Sequence, residues 1–323
     1  MKRFLCVGLV FFLLAGVLCG CNSKDTDENK SGTSFDLTAP EKADIDWYDF
    51  PAYEKRGLIK DIKKLSEFSK NCEVYEFTYP SDKYMVKGFI AIPAKCVEEE
   101  TPFGCVVYNR GGNSNMGFLT GEEMAAMCVA SNRVVIGSQY RGADGSEGKD
   151  EFGGADLKDV TALIDLCEKE FRFVNIENLC MVGISRGGMM SYLAARDDKR
   201  VKGIVAISAV TDLAASYNER EDMRDIMHDC IGGSPEELPE EYAKRSAVNF
   251  AKELDVPVFI IHSKDDELVS YSQAKTMNEL LKETKHGCTM TTHLDNVHGL
   301  HPEDAVSIVQ WLDQTLSANP VQN

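Results

Sequence analysis

The sequence predicts an α/β fold with a mostly parallel central sheet and helices on both faces. Three observations carry this. Short apolar runs alternate with helical stretches from Cys105 to Ser317, a β-hairpin signal precedes them, and a Gly-x-Ser-x-Gly pentapeptide (Gly183 to Gly187) stands where one apolar run gives way to a helix. Strands separated by helices of roughly 10–15 residues imply βαβ units, which build parallel sheets.

Taken in chain order, the first residues are not fold. Lys2 and Arg3 precede an apolar run of 15 residues, Phe4 to Leu18. A transmembrane helix needs roughly 20, so the run suits the apolar centre of a secretory signal. Leu18-Cys19-Gly20-Cys21 resembles a bacterial lipobox, which implies a signal peptide at 1–20, cleavage after Gly20 and lipid on Cys21. One acyl chain holds weakly, so stable anchoring takes two or more. The expectation is an exported protein, on the cell surface or in the periplasm, lipid-anchored to a bacterial membrane. Residues 21–45 read as a flexible tether, polar from Asn22 to Ser34 apart from Gly32. Residues 46–72 read as a helical extension, because Leu58, Ile62 and Leu65, with Phe68 following, recur at helical spacing within Asp49–Lys70.

Next, Glu73–Tyr79 and Met85–Ile92 flank a turn at Pro80-Ser81-Asp82-Lys83, a hairpin signal. The strands that follow are expected at Cys105–Tyr108, Val134–Gly137, Leu179–Ile184, Gly203–Ile207, Val258–Ile261 and Cys288–His293. The helices among them are expected at Gly121–Ala130, Ala155–Glu170, Gly188–Arg196, Ser272–Glu283 and Glu303–Ser317.

Composition narrows the function. Among 323 residues, 52 are Asp or Glu and 35 are Lys or Arg, a net charge of −17. So acidic a surface repels phosphate backbones and argues against nucleic acid as a partner. None of the 11 cysteines forms a Cys-x-x-Cys pair, so neither a zinc ribbon nor a thioredoxin-like centre has support. Cys105 and Cys180 lie in apolar runs and read as small buried hydrophobes. No cofactor and no metal-ligand set is read from the spacing.

The chemistry centres on Gly183-Ile184-Ser185-Arg186-Gly187. An apolar strand leads in and a helical run leads out, the context that a nucleophile elbow needs to lift a serine hydroxyl above a sheet. A serine nucleophile requires a base, and the base a carboxylate to orient it. In an α/β-hydrolase these follow in the order serine, acid, histidine. After the strand Val258–Ile261, Asp265 and Asp266 are both available as the acid. His298 lies in the loop after the last strand; His286 precedes that strand, His293 lies within it, and His301 adjoins Pro302 at the start of the last helix, where it reads as capping or packing.

Several blocks together resemble the catalytic domain of the prolyl oligopeptidase family over residues 73–318. They are Tyr140-Arg141-Gly142 with Gly145, Gly148 and Gly153-Gly154-x-Asp156; the elbow with Gly188; Arg245-Ser246 before Val256-Pro257; His262-x-x-x-Asp266-x-x-Val269; and His298-Gly299. The resemblance implies an α/β-hydrolase fold and a Ser185–Asp266–His298 triad, with Asp266 rather than Asp265 as the acid. It also implies a short helical cap insertion within Asp212–Tyr242. Arg141 and Asp156 read as a buried ion pair or loop clamp.

An oxyanion hole is expected from the N–H of Arg186 and from the loop Tyr108-Asn109-Arg110-Gly111-Gly112. Relatives often carry His or Tyr before the two glycines, and a Tyr there can donate its hydroxyl. This chain has Arg110, which is a candidate oxyanion neighbour or a partner for a core carboxylate. Only 51 residues separate Cys21 from Glu73. A propeller needs about four blades of roughly 40–45 residues, so no β-propeller fits before the hydrolase domain. These features point to a serine peptidase acting on short peptides or blocked amino acids. The alternative is a carboxylic ester hydrolase, since the same triad cleaves both bonds.

Overall fold

The structure, a computed structural model, describes residues 50–65 and 68–317. The expected signal peptide and tether, with Cys21, and residues 46–49, 66 and 67 of the expected helical extension lie outside the described residues.

Nine strands form one open sheet, its central parallel strands near-continuous apolar runs buried on both faces. In chain order they are β1 (Lys60–Leu65), β2 (Cys72–Ser81), β3 (Tyr84–Pro93), β4 (Phe103–Asn109), β5 (Val134–Ser138), β6 (Val174–Ile184), β7 (Val201–Ile207), β8 (Val258–Ser263) and β9 (Cys288–His293). The sheet order is β1-β2-β3-β5-β4-β6-β7-β8-β9. β1, β2, β3 and β5 pair antiparallel, and every pair from β5 through β4 to β9 is parallel. The hairpin of β2 and β3 and the parallel strands lie where the sequence predicts them.

The helices are α1 (Phe50–Lys55), α2 (Ala94–Glu99), α3 (Gly121–Ser131), α4 (Leu157–Lys169), α5 (Arg186–Asp197), α6 (Leu213–Glu219), α7 (Glu221–Ile231), α8 (Pro239–Arg245), α9 (Tyr271–Lys282) and α10 (Asp304–Ser317). Two cores form, one per sheet face. Cys105 and Val107 point into the core shared with α4, α5 and α9, while Val106 and Tyr108 point into the core shared with α3 and α10. The helical insertion between β7 and β8 consists of α6, α7 and α8. Cys105 and Cys180 are buried thiols, and all eight cysteines among the described residues are free.

One expectation fails. Instead of a helix over 46–72, the chain forms the short helix α1 and then the edge strand β1 on β2. Gly57, at φ +75°, turns the chain out of the helix. Ile62 packs on one sheet face and Leu65 on the other. Residues three apart on a strand point to opposite faces, so the spacing that suggested one helical stripe belongs to two sides of a ribbon.

Candidate active site

Ser185 stands between β6 and α5 with φ 56° and ψ −121°, a conformation L residues rarely hold without support. The support is backbone. Its N–H donates to Ile207 (2.8 Å), and its carbonyl accepts from Gly188 (3.0 Å) and Val210 (3.2 Å). Gly187 is required by close approach, because a Cβ there would overlap the Asn109 carbonyl of neighbouring β4.

At the end of β4 the chain turns through Gly111 and Gly112. Gly112 has φ +72°, and a Cβ on it would collide with the Met116 carbonyl. Gly111 backs onto the serine: a Cβ there would lie 3.3 Å from Ser185 Cβ. Arg186 is the first residue of α5, so its N–H has no acceptor within the helix.

The Arg186 side chain runs beneath this turn, fully buried. Its guanidinium binds both oxygens of Asp150 (2.7 and 2.8 Å) and Asp156 Oδ2 (2.5 Å), and donates to the Gly112 carbonyl (3.3 Å). Burial disfavours its charge, but the two carboxylates outweigh that and raise its pKa. Burial likewise opposes ionisation of Asp150, and Arg186 outweighs it, so the Asp150 pKa is lowered. Arg110 faces no carboxylate. Its guanidinium donates to the carbonyls of Gln139 (2.7 and 2.9 Å), Gly111 (2.9 Å), Asn113 (3.1 Å) and Met116 (3.1 Å). Burial, followed by repulsion from Arg186, pushes its pKa down to about 10. The Arg110 side chain is therefore a clamp on the glycine loop. The Tyr140 ring contacts both guanidiniums, its centroid 4.9 Å from that of Arg110 and 5.0 Å from that of Arg186.

The other half of the site comes from the strands after the cap. Asp266 follows β8, and its Oδ1 accepts from the N–H groups of Leu268 (2.9 Å) and Val269 (3.0 Å). His298, in the loop after β9, holds Nδ1 2.8 Å from Asp266 Oδ2 and 3.1 Å from Oδ1. Burial opposes the Asp266 charge, yet the His298 hydrogen bond and the two N–H groups prevail and lower its pKa. The neighbouring Asp265 is exposed, with its backbone N–H on the Asp295 carbonyl (2.9 Å). Gly299 N–H donates to Ser208 Oγ (3.2 Å) at the end of β7 and ties down the His298 loop.

Ser185, His298, Gly111, Gly112, Arg110 and Arg186 all line one cavity of about 350 Å³. Among the described residues no hydrogen bond joins Ser185 to His298; apo sites are often looser than substrate complexes. The cavity is walled by Phe152, Met223, Met227, Leu268, Val269 and Leu300. Two of these, Met223 and Met227, come from α7 of the cap.

The remaining candidates sort out by partner. Arg141 forms a buried pair with Asp159 (2.8 Å), and Asp156 pairs with Arg186 and accepts from the Gly153 N–H (3.0 Å). Both are clamps, each in a different pair. Asp150 and Tyr140 were not singled out from the sequence as parts of this network. Only their position in the glycine-rich stretch after β5 hinted at it.

Comparison with known proteins bears on the family and the fold. Residues 121–318 match the model of the prolyl oligopeptidase family. An uncharacterized peptidase of Bacillus subtilis (strain 168), YtmA, is 28% identical over 258 residues, 80% of this chain and 98% of that protein. The acylaminoacyl peptidase of Pyrococcus horikoshii superposes with a TM-score of 0.67 at 20% identity, over 79% of this chain and 44% of its own. Acetyl xylan esterase 1 from Thermoanaerobacterium sp. JW/SL YS485 superposes with a TM-score of 0.62 at 16% identity, over 88% of this chain and 96% of its own. At such identities the two structures speak for the fold. The chain spans less than half the length of the Pyrococcus peptidase.

Proposed function

The chain belongs to the prolyl oligopeptidase family, and from that premise we propose that it is a serine peptidase acting on short peptides or blocked amino acids through Ser185, His298 and Asp266. The observation that carries this is the His298 Nδ1 contact with buried Asp266, 2.8 Å, at the cavity that Ser185 also lines.

An ionised carboxylate only accepts, so Nδ1 carries the proton and Nε2 is left with a lone pair. That Nε2 takes the Ser185 hydroxyl proton as Oγ attacks the scissile carbonyl carbon. The carbonyl electron pair moves to oxygen, where the N–H of Arg186 and an N–H of the Gly111–Gly112 turn receive it. His298 returns the proton to the leaving amine, the C–N bond breaks and an acyl-enzyme remains. Water, deprotonated by the same Nε2, releases the acid. Asp266 keeps the imidazole oriented and stabilises its charged form. Arg186 and Arg110 hold the two turns that carry the oxyanion donors, Arg186 through its guanidinium on Asp150, Asp156 and the Gly112 carbonyl, and Arg110 through the loop carbonyls. The apolar walls suit an apolar acyl or side-chain group.

A second reading is a carboxylic ester hydrolase. It draws support from acetyl xylan esterase 1, which this chain matches along nearly the whole of its length. Rates on aminoacyl-nitroanilides and on short-chain nitrophenyl esters with one purified sample separate the two. Peptidase activity predicts turnover of the anilides, and an enzyme that cleaves esters alone overturns it.

We also propose that the mature chain starts at Cys21 and is held at a bacterial membrane by lipid on that residue. The support is the Leu18-Cys19-Gly20-Cys21 sequence after an apolar run. Cys21→Ser is expected to release the protein to the soluble fraction or leave the precursor uncleaved. Membrane association that persists without lipid on Cys21 would favour an uncleaved anchor.

A further inference from the structure

We propose that His293, His301 and Asp304 form a binding site for a divalent transition-metal ion that closes the loop carrying His298. His293 ends β9, His301 follows the loop, and Asp304 opens α10. One nitrogen of each imidazole and one oxygen of the carboxylate lie within 4.8 Å of one another. His293 Nε2 is 2.9 Å from Asp304 Oδ1, and His301 Nδ1 is 3.5 Å from Asp304 Oδ2. Donors about 2.0–2.1 Å from a tetrahedral ion stand about 3.3 Å apart, so three donor atoms within 4.8 Å of one another meet one ion by shifts of at most about 1.5 Å.

The tautomer makes the case specific. His301 Nε2 faces Asp295 Oδ2 at 2.7 Å. The carboxylate accepts, so the proton sits on Nε2. In the neutral ring Nδ1 is then a bare lone pair, and it is buried without a hydrogen-bond partner. It lies 3.5 Å from Asp304 Oδ2, which also accepts the His301 backbone N–H (2.8 Å). Such facing acceptors repel unless a cation, a metal ion or the second proton of an imidazolium, lies between them. Asp295 behind His301 supplies the carboxylate that orients a ligating imidazole and raises its basicity. The His293 and His301 rings stack with centroids 3.7 Å apart, which fixes the two rings against each other. Two imidazoles and a carboxylate suit zinc and its neighbours and do not suit calcium or magnesium.

Position gives the site its purpose. The seven residues between the two histidines include His298, and two of the others, Leu294 and Val297, are 77% and 39% exposed. That loop has little apolar packing of its own, and an ion would pin both of its ends to the start of α10. The binding site stands on its own residues; its effect on the base rests on the triad reading.

The test uses the full chain, stripped with chelator and titrated with Zn²⁺ by calorimetry and with Co²⁺ by absorption spectroscopy. One equivalent is expected to bind, with the visible bands of a low-coordinate nitrogen–oxygen site for Co²⁺. His293→Gln and His301→Gln, checked for folding by circular dichroism, should abolish it. Asp295→Asn should weaken it roughly 10–100-fold. His298→Ala should bind as the wild type does, which keeps the result separate from the fate of the triad. Absence of binding, equal binding in both Gln variants, or loss in His298→Ala would each overturn the proposal.

Discussion

Ser185 sits at a junction of buried backbone, whereas His298 rides on a loop that is half in solvent. Beneath the serine, Arg186, Asp150 and Asp156 are buried and mutually paired, and Gly187 packs against β4 with no room for a methyl group. Around the histidine, Leu294 and Val297 are exposed and the loop is held by hydrogen bonds: His298 to Asp266, Gly299 to Ser208, and Asp295 to the Asp265 N–H and to His301. The nucleophile is held by the core of the fold, and the base by hydrogen bonds from one loop. Changes to the buried supports of the serine should cost stability and activity together, and changes to the triad side chains mainly activity.

The largest expected effect tests both halves at once. Ser185→Ala and His298→Ala should each lower the rate by roughly 10⁴-fold or more, because triad members act as a unit. Both should keep the wild-type urea midpoint. An organophosphonate should label the protein once, at Ser185; labelling that survives Ser185→Ala breaks the assignment. Asp266→Asn should cost on the order of 10⁴-fold through the wrong imidazole tautomer, again with the fold retained.

The nucleophile half should respond otherwise. Arg186→Gln leaves Asp150 and Asp156 buried without their cation, which costs about 3–5 kcal/mol of stability. Urea unfolding checks this, and a variant as stable as the wild type would remove the contrast between the two regions.

A smaller effect is shared. Asp150 and Asp266 both have lowered pKa values in the folded state. A carboxylate lowered on folding adds stability that is complete above its unfolded pKa, about 4, and is lost as pH falls through the folded value. The contribution of these two carboxylates should therefore be complete from about pH 7 to pH 5 and be lost below about pH 4. Asp266→Asn should make the acid fall of the urea midpoint shallower. An Asp266→Asn midpoint that falls as steeply as that of the wild type contradicts the Asp266 shift. The smallest effect is at Asp265, exposed beside the acid: Asp265→Asn should leave the rate within about twofold, as exposed substitutions stay within roughly 0.5 kcal/mol. A dead Asp265→Asn with an active Asp266→Asn would move the acid by one residue.

What the sequence alone determined is whatever neighbouring residues decide. The parallel strands and the helices α3, α4, α5, α9 and α10 were legible because burial on one or both faces imposes its period on adjacent side chains. The elbow was legible because a sharp strand-to-helix turn demands small residues at fixed offsets from Ser185. Tertiary structure decided what depends on partners far along the chain. Lys60–Leu65 became a strand because β2 offered it an edge, a choice its own apolar spacing opposed. Arg110 met carbonyls where a carboxylate had been a candidate, and Arg186 met Asp150, 36 residues away, across the same turn. His298 and Asp266 are 32 residues apart, and their hydrogen bond exists because β8 and β9 lie side by side. Local periodicity reports the backbone hydrogen bonds a segment makes with itself or with any sheet. Which side chains meet across the ends of strands is set when the sheet closes, and no short window of residues carries that information.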